Sequence, residues 1–135
     1  MATGMYAHAL ERFLTGQIDW LTEDAKVVIV DHAEYEPNLD EDISLEDIPG
    51  AARVAVSDLL TGKTATDGVA NAANVTFTAL TGPVSEGVVV YIDSGTESSS
   101  FLICHIDEGT SFPIVPDGED FVVEWSSGEN GIFRL

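Results

Sequence analysis

Apolar residues near the start of the chain recur at helical spacing. Tyr6, Ala9, Leu10, Phe13 and Leu14 line one face, and His8, Glu11, Arg12 and Thr15 take the other. This predicts a helix over residues 1–16, with Thr3 at its N-cap, Gly16 at the left-handed C′ position and His8 in solvent. Beyond Gly16 the pattern changes to short β-type runs. Residues 26–31 (KVVIVD) form a continuous, β-branched apolar run whose length favours a strand buried on both faces. Ser44-Leu45-Glu46-Asp47 has the form of a capping box, and Pro49-Gly50 ends it at once, so a single helical turn is expected.

Residues 52–57 and 60–68 read as a strand and a polar edge-type strand. In residues 75–80, Val75 and Phe77 fall on one face and Thr76 and Thr78 on the other. Residues 87–93 (GVVVYID) and 100–107 (SFLICHID) are the strongest strands. The six residues between them are too few for a crossover helix, so the two should form an antiparallel hairpin. Residues 121–125 and 131–135 predict a second hairpin, with Asn130-Gly131 as its type I′ turn. Hairpin spacing between about seven or eight strands predicts a mainly β, single-domain fold over residues 1–135. The expected form is an antiparallel β-sandwich or rolled sheet with one N-terminal α-helix (1–16 helix, 17–135 β-rich body).

Composition supports a packed domain: 44% of the 135 residues are apolar. No apolar run is long enough for a transmembrane helix, and residues 1–5 lack the basic and apolar regions of a secretory signal. Charge changes the picture most. Twenty-four acidic residues against five basic ones give −19. On the roughly 6,800 Å² expected for this mass, about one net negative charge falls on every ~360 Å². Nucleic acids and anionic membranes demand clustered Lys and Arg. Arg12, Lys26, Arg53, Lys63 and Arg134 are scattered instead. The expectation is no nucleic-acid and no membrane partner, on an acidic surface that suits a basic patch or a cation-rich medium.

Candidate chemistry is sparse. Cys104 and His105 are neighbours, but strand neighbours point to opposite faces, so Cys104 should share a face with Leu102 and Ile106, and His105 with Phe101 and Ile103. The thiol then reads as a small core hydrophobe with a raised pKa. One cysteine supports neither an internal disulfide nor a Cys-based zinc site. Glu34, Glu36, Asp40, Glu41, Asp42, Glu46 and Asp47 offer oxygens for calcium, yet EF-hand spacing is absent and only diffuse cation attraction is expected. No dinucleotide or phosphate-binding glycine motif occurs. The residues therefore predict no enzyme, no cofactor and no metal ligands. Trp20, Tyr35 and Pro37 are candidate protein-interface residues, with core packing as the competing role for Trp20.

Several segments together resemble a known family: YAHALERFLTGQ, IDWLTEDAKVVIVD, the Tyr35-Glu36-Pro37-Asn38 loop, LEDIPGAARVAVSDLLTGKT, GVANAANVTFTALTG, VVVYIDSGTESSSFLICHID and PDGEDFVVEWSSGENGIFRL. The chain resembles small structural proteins of tailed bacteriophages, especially those of high-GC Gram-positive hosts. The resemblance implies a non-enzymatic virion component assembled in the host cytoplasm. An auxiliary protein decorating the outer capsid is the first expectation, and a tail or head–tail connector component the second. It further implies a homo-oligomer or multi-copy arrangement on a symmetric assembly, with the major capsid protein, copies of itself, or both as partners. A small ligand-binding β-module and a minor hydrolase are the readings from other classes.

Overall fold

The computed structural model describes residues 4–107, 112–125 and 131–135. Among these, ten strands form three antiparallel sheets accompanied by one α-helix, so the protein is mainly β. The strands are β1 (Gly4–Met5), β2 (Ala25–Val30), β3 (Arg53–Val56), β4 (Thr64–Thr66), β5 (Val69–Asn71), β6 (Val75–Phe77), β7 (Gly87–Ile92), β8 (Leu102–Ile106), β9 (Phe121–Val123) and β10 (Phe133–Arg134). The helix, α1, is Ala7–Leu14. The main sheet runs β1-β8-β7-β2-β3. Smaller sheets are β10-β5-β4 and β6-β9.

The apolar runs occupy the centre of the main sheet. All six residues of β7 are buried, as are five of six in β2, so neither strand shows the alternation of a half-solvated sheet. β7 and β8 pair as the expected hairpin, and Val75 and Phe77 are buried while Thr76 is exposed. Ala70, Val75, Phe77, Val123 and Phe133 from the small sheets belong to the same core cluster as the central strands. The capping box also forms. Ser44 precedes a 3₁₀ turn over Leu45–Asp47, and Asp47 Oδ2 accepts the backbone N–H of Ile43 (2.7 Å) and Ser44 (3.1 Å).

Four expectations are corrected. The helix begins at Ala7, because Gly4–Met5 is drawn into β1 against His105 and Cys104. Tyr6, fully buried, then takes the N-cap position and donates its N–H to Ile103. Thr3 lies outside the described residues, whereas Gly16 does adopt the left-handed conformation (φ 75°). His8 is half-buried, 3.7 Å from the Glu11 carboxylate, and Leu14 of the predicted apolar face is 86% exposed. The second hairpin is not made. β9 pairs with β6 (Val75↔Val123, Phe77↔Phe121) and β10 with β5 (Phe133↔Ala70, Arg134↔Val69). Turn chemistry near Gly131 favours a reversal but leaves the partner open; burying Phe77, Val123 and Phe133 in the common core selects these distant strands. Gly131 itself is left-handed, and a Cβ there would sit 2.6 Å from the Ala70 carbonyl oxygen. Asn130 lies outside the described residues. Finally, a register shift in the β7–β8 pairing sets Leu102 opposite Tyr91 and Cys104 opposite Val90. Cys104 keeps the face of Ile106, but Leu102 falls out of step with it.

Candidate functional site

The expected interface residues meet different fates. Tyr35, 5% exposed, is held in a buried hydrogen-bond chain. The Tyr35 hydroxyl donates to Asp42 Oδ2 at 2.7 Å, which leaves its oxygen to accept from the fully buried Tyr6 hydroxyl, also at 2.7 Å. Burial and neighbouring negative charge raise both phenols above the ordinary tyrosine pKa. Pro37 is half-buried. Trp20, 5% exposed, is a core residue, edge-on to Phe133 at 5.2 Å and donating Nε1–H to Thr64 O at 3.1 Å. Trp20 and Tyr35 are thus claimed by this chain's own packing.

Trp20 nevertheless forms one wall of an apolar cleft of about 440 Å³, with Phe13, Ile18, Val69, Phe133 and Leu135. Leu21 and Leu135 also line it, at 52% and 59% exposed, and Leu14 follows Phe13 in the last turn of α1. Lys63 donates to the Glu23 carbonyl oxygen and lies over the Trp20 ring at 5.5 Å. This segment supplies exposed apolar surface on a chain of net charge −19.

Cys104 is buried, and desolvation pushes its thiol up to about 12, as a core cysteine requires. His105 does not pair with it. It is fully buried and faces His32, with the two Nε2 atoms 2.9 Å apart and ring centroids at 5.0 Å.

The sheet builds this contact. β7 lies between β2 and β8, His32 follows β2 by two residues, and His105 stands opposite Val89 of β7. The imidazoles reach towards each other over Gly87, the first residue of β7. A Cβ at 87 would lie 2.8 Å from His105 Nε2 and 3.0 Å from His32 Nε2. Glycine is needed here for space. Glu86 Oε1 accepts the His32 backbone N–H at 3.0 Å and fixes where that side chain departs. Asp107, half-buried and two residues beyond His105, completes a set whose potential ligand atoms all lie within 4.8 Å of one another.

Two imidazoles and a carboxylate are donors for divalent transition ions. Among the described residues no other group of three His, Cys, Asp or Glu converges in this way. The acidic loop contributes none: Asp42 Oδ2 is engaged by Tyr35 and the Asn38 N–H, and Asp47 by its capping box. Sequence reasoning missed the histidine pair because its members are 73 positions apart. The signal available was a glycine opening an otherwise β-branched buried run.

No family model matches the chain, and no curated protein is significantly similar to it. No helix among the described residues is long and apolar enough to cross a membrane.

Proposed function

We propose that this chain is a non-enzymatic virion structural protein, an auxiliary protein bound in many copies to the outer capsid of a tailed phage. The observation that supports this reading is the apolar cleft with Leu21 and Leu135 at its lip. A solvated apolar patch on a strongly acidic domain suits burial against another protein. The proposed occupant is the major capsid protein. A second copy of this chain would bring another −19 charge to the contact, whereas attachment to a repeated lattice multiplies a modest single-site affinity. The resemblance to phage structural proteins supports the class, and the cleft offers a surface for such a contact.

The test is recovery with purified particles, quantified against the major capsid protein. Near-stoichiometric recovery is expected. Leu21→Asp and Leu135→Asp should lose attachment while keeping the native circular dichroism spectrum. Recovery at only about five or six copies would indicate a ring component of the connector or tail instead. Absence from particles, or full attachment of both variants, would overturn the proposal. The size of the cleft also fits a small apolar ligand, the alternative of a ligand-binding β-module. A ligand present at 100 times its dissociation constant would add about 2.7 kcal/mol in a thermal-shift screen.

A further inference from the structure

We infer that His32, His105 and Asp107 bind a divalent transition metal ion, with Zn²⁺ as the best-fitting common ion. The alternative is a plain histidine–histidine hydrogen bond, one neutral Nε2–H donating to the other Nε2. That bond would account for the 2.9 Å contact. It does not by itself bring a carboxylate to the same point, and Asp107 completes a set of three whose ligand atoms lie within 4.8 Å of one another; Gly87 serves either reading, since the missing Cβ is what lets the two rings meet. A hydrogen bond needs two groups and no third ligand, whereas a tetrahedral Zn²⁺ takes four, here three from the protein with water as the fourth.

The distances are near those required. Two imidazole nitrogens on one tetrahedral Zn²⁺, each about 2.0–2.1 Å from the ion, lie about 3.3 Å apart. The observed separation of 2.9 Å has to open by about 0.4 Å, within the reach of small ring rotations. An Asp107 carboxylate oxygen lies within 4.8 Å of a ring nitrogen of each histidine, and a torsion of this half-buried side chain would close the remaining distance. The Glu86 carboxylate accepts the His32 backbone N–H at 3.0 Å and fixes where that side chain leaves the chain.

Access and selectivity follow from the same arrangement. His105 is sealed in the sheet, while His32 and Asp107 are half-buried, so an ion enters from their side. A net charge of −19 concentrates cations around the domain, but diffuse attraction does not distinguish Ca²⁺ from Zn²⁺. Two imidazoles do, because nitrogen donors favour Zn²⁺, Cu²⁺ and Ni²⁺ over Mg²⁺ and Ca²⁺. Bound there, the ion would join the chain just after β2 to the end of β8 across β7, clamping three strands at one end of the main sheet.

Untagged full-length protein, stripped with chelator, is titrated with Zn²⁺ by calorimetry. It is titrated in parallel with Co²⁺, whose visible absorption reports nitrogen coordination. One equivalent of Zn²⁺ per chain is expected, with no equivalent Ca²⁺ isotherm. His32→Gln and Asp107→Asn, at half-buried positions, should each weaken Zn²⁺ binding at least about tenfold and alter the Co²⁺ spectrum. His105→Gln should abolish binding if it folds; if it does not, the other two variants still decide. Failure of wild-type protein to bind Zn²⁺ stoichiometrically would overturn the inference. So would unchanged affinity in both His32→Gln and Asp107→Asn, or Ca²⁺ binding as tight as Zn²⁺, each of which would assign the ion to the acidic surface. None of these outcomes depends on the particle to which the protein belongs.

Discussion

The chain Tyr6–Tyr35–Asp42 has a direction, and a double-mutant cycle can read it. Tyr35 donates to Asp42, so Tyr6 donates to Tyr35. Removing the last donor of such a chain differs from removing its middle. Tyr6→Phe deletes one neutral hydrogen bond, leaves Tyr35 bonded to Asp42, and should cost about 0.5–1.5 kcal/mol. Tyr35→Phe deletes a bond to a carboxylate and leaves the fully buried Tyr6 hydroxyl without its acceptor, for a total of about 2–4 kcal/mol. In the double variant Tyr6 no longer has a hydroxyl to strand. Its cost should fall short of the sum of the single costs by about 1–2 kcal/mol. At about 2.1 cal/mol/K per residue over 135 residues, 1 kcal/mol moves the melting temperature by about 3.5 °C. Tyr35→Phe should then melt about 7–14 °C lower than wild type. Urea denaturation at pH 7 measures all three variants, with the m-value unchanged. Equal costs for the two single variants, with additivity in the double, would refute the hydrogen-bond direction and assign the losses to packing.

Cys104 should resist thiol reagents in the native state, and Cys104→Val should change stability by at most about 1–1.5 kcal/mol. Burial raises its folded pKa from 9.0 to about 12, so the unfolded thiol ionises first; its stabilising contribution is complete below about pH 9 and is lost as pH rises towards 12. Denaturation between pH 8 and 11.5 should show Cys104→Val with a shallower alkaline decline, and parallel curves would contradict this. Gly87→Ala should destabilise by about 1–3 kcal/mol in thermal melts, because the new methyl meets both histidine rings; a neutral result would mean that the space above β7 is larger than it looks. On the proposed capsid role, attachment to particles should weaken as salt is lowered from about 0.5 to 0.02 M, since the Debye length grows from under ~8 Å towards ~30 Å and neighbouring acidic copies would begin to repel. A steep loss with rising salt would indicate docking on a basic patch.

The parts of the fold that could be read in advance are those where a local pattern has one structural outcome. A continuous apolar run such as VVIV or VVVYI belongs at the centre of a sheet, and β2 and β7 are there. Ser44 to Asp47 carries its own capping chemistry, and the capped turn forms. Two strands joined by a short turn-rich link pair as a hairpin. Pairings decided at long range were not legible. Phe121–Val123 and Phe133–Arg134 look local to each other, yet each pairs with a distant strand, β9 with β6 and β10 with the free side of β5, because those edges lie beside the core. Gly4–Met5 carries too little pattern to announce a strand, and its pairing follows from the edge that β8 offers.

The sites divide in the same way. Burial of Cys104 could be deduced from alternation and composition alone, since a thiol inside FLICHI needs no partner to be explained. His105 could not, because its meaning depends on a residue at the far end of another strand and on the absence of a side chain at a third. Alternation separates His105 from Cys104 and removes the nucleophile–base reading, but it is silent about what lies across the sheet. The register supplies that. Val30 stands opposite Gly87 and His105 opposite Val89, so a histidine two residues past Val30 and one in β8 converge over the only position in β7 that lacks a Cβ. A side chain at 87, like those of its three successors, would run into both imidazoles, since a Cβ there lies 2.8 Å from His105 Nε2 and 3.0 Å from His32 Nε2. The glycine that sequence reading treats as the edge of a strand is therefore the residue that creates the site. The one substitution Gly87→Ala separates two questions: whether the sheet tolerates a filled position there, and whether the convergence of His32, His105 and Asp107 depends on leaving it empty.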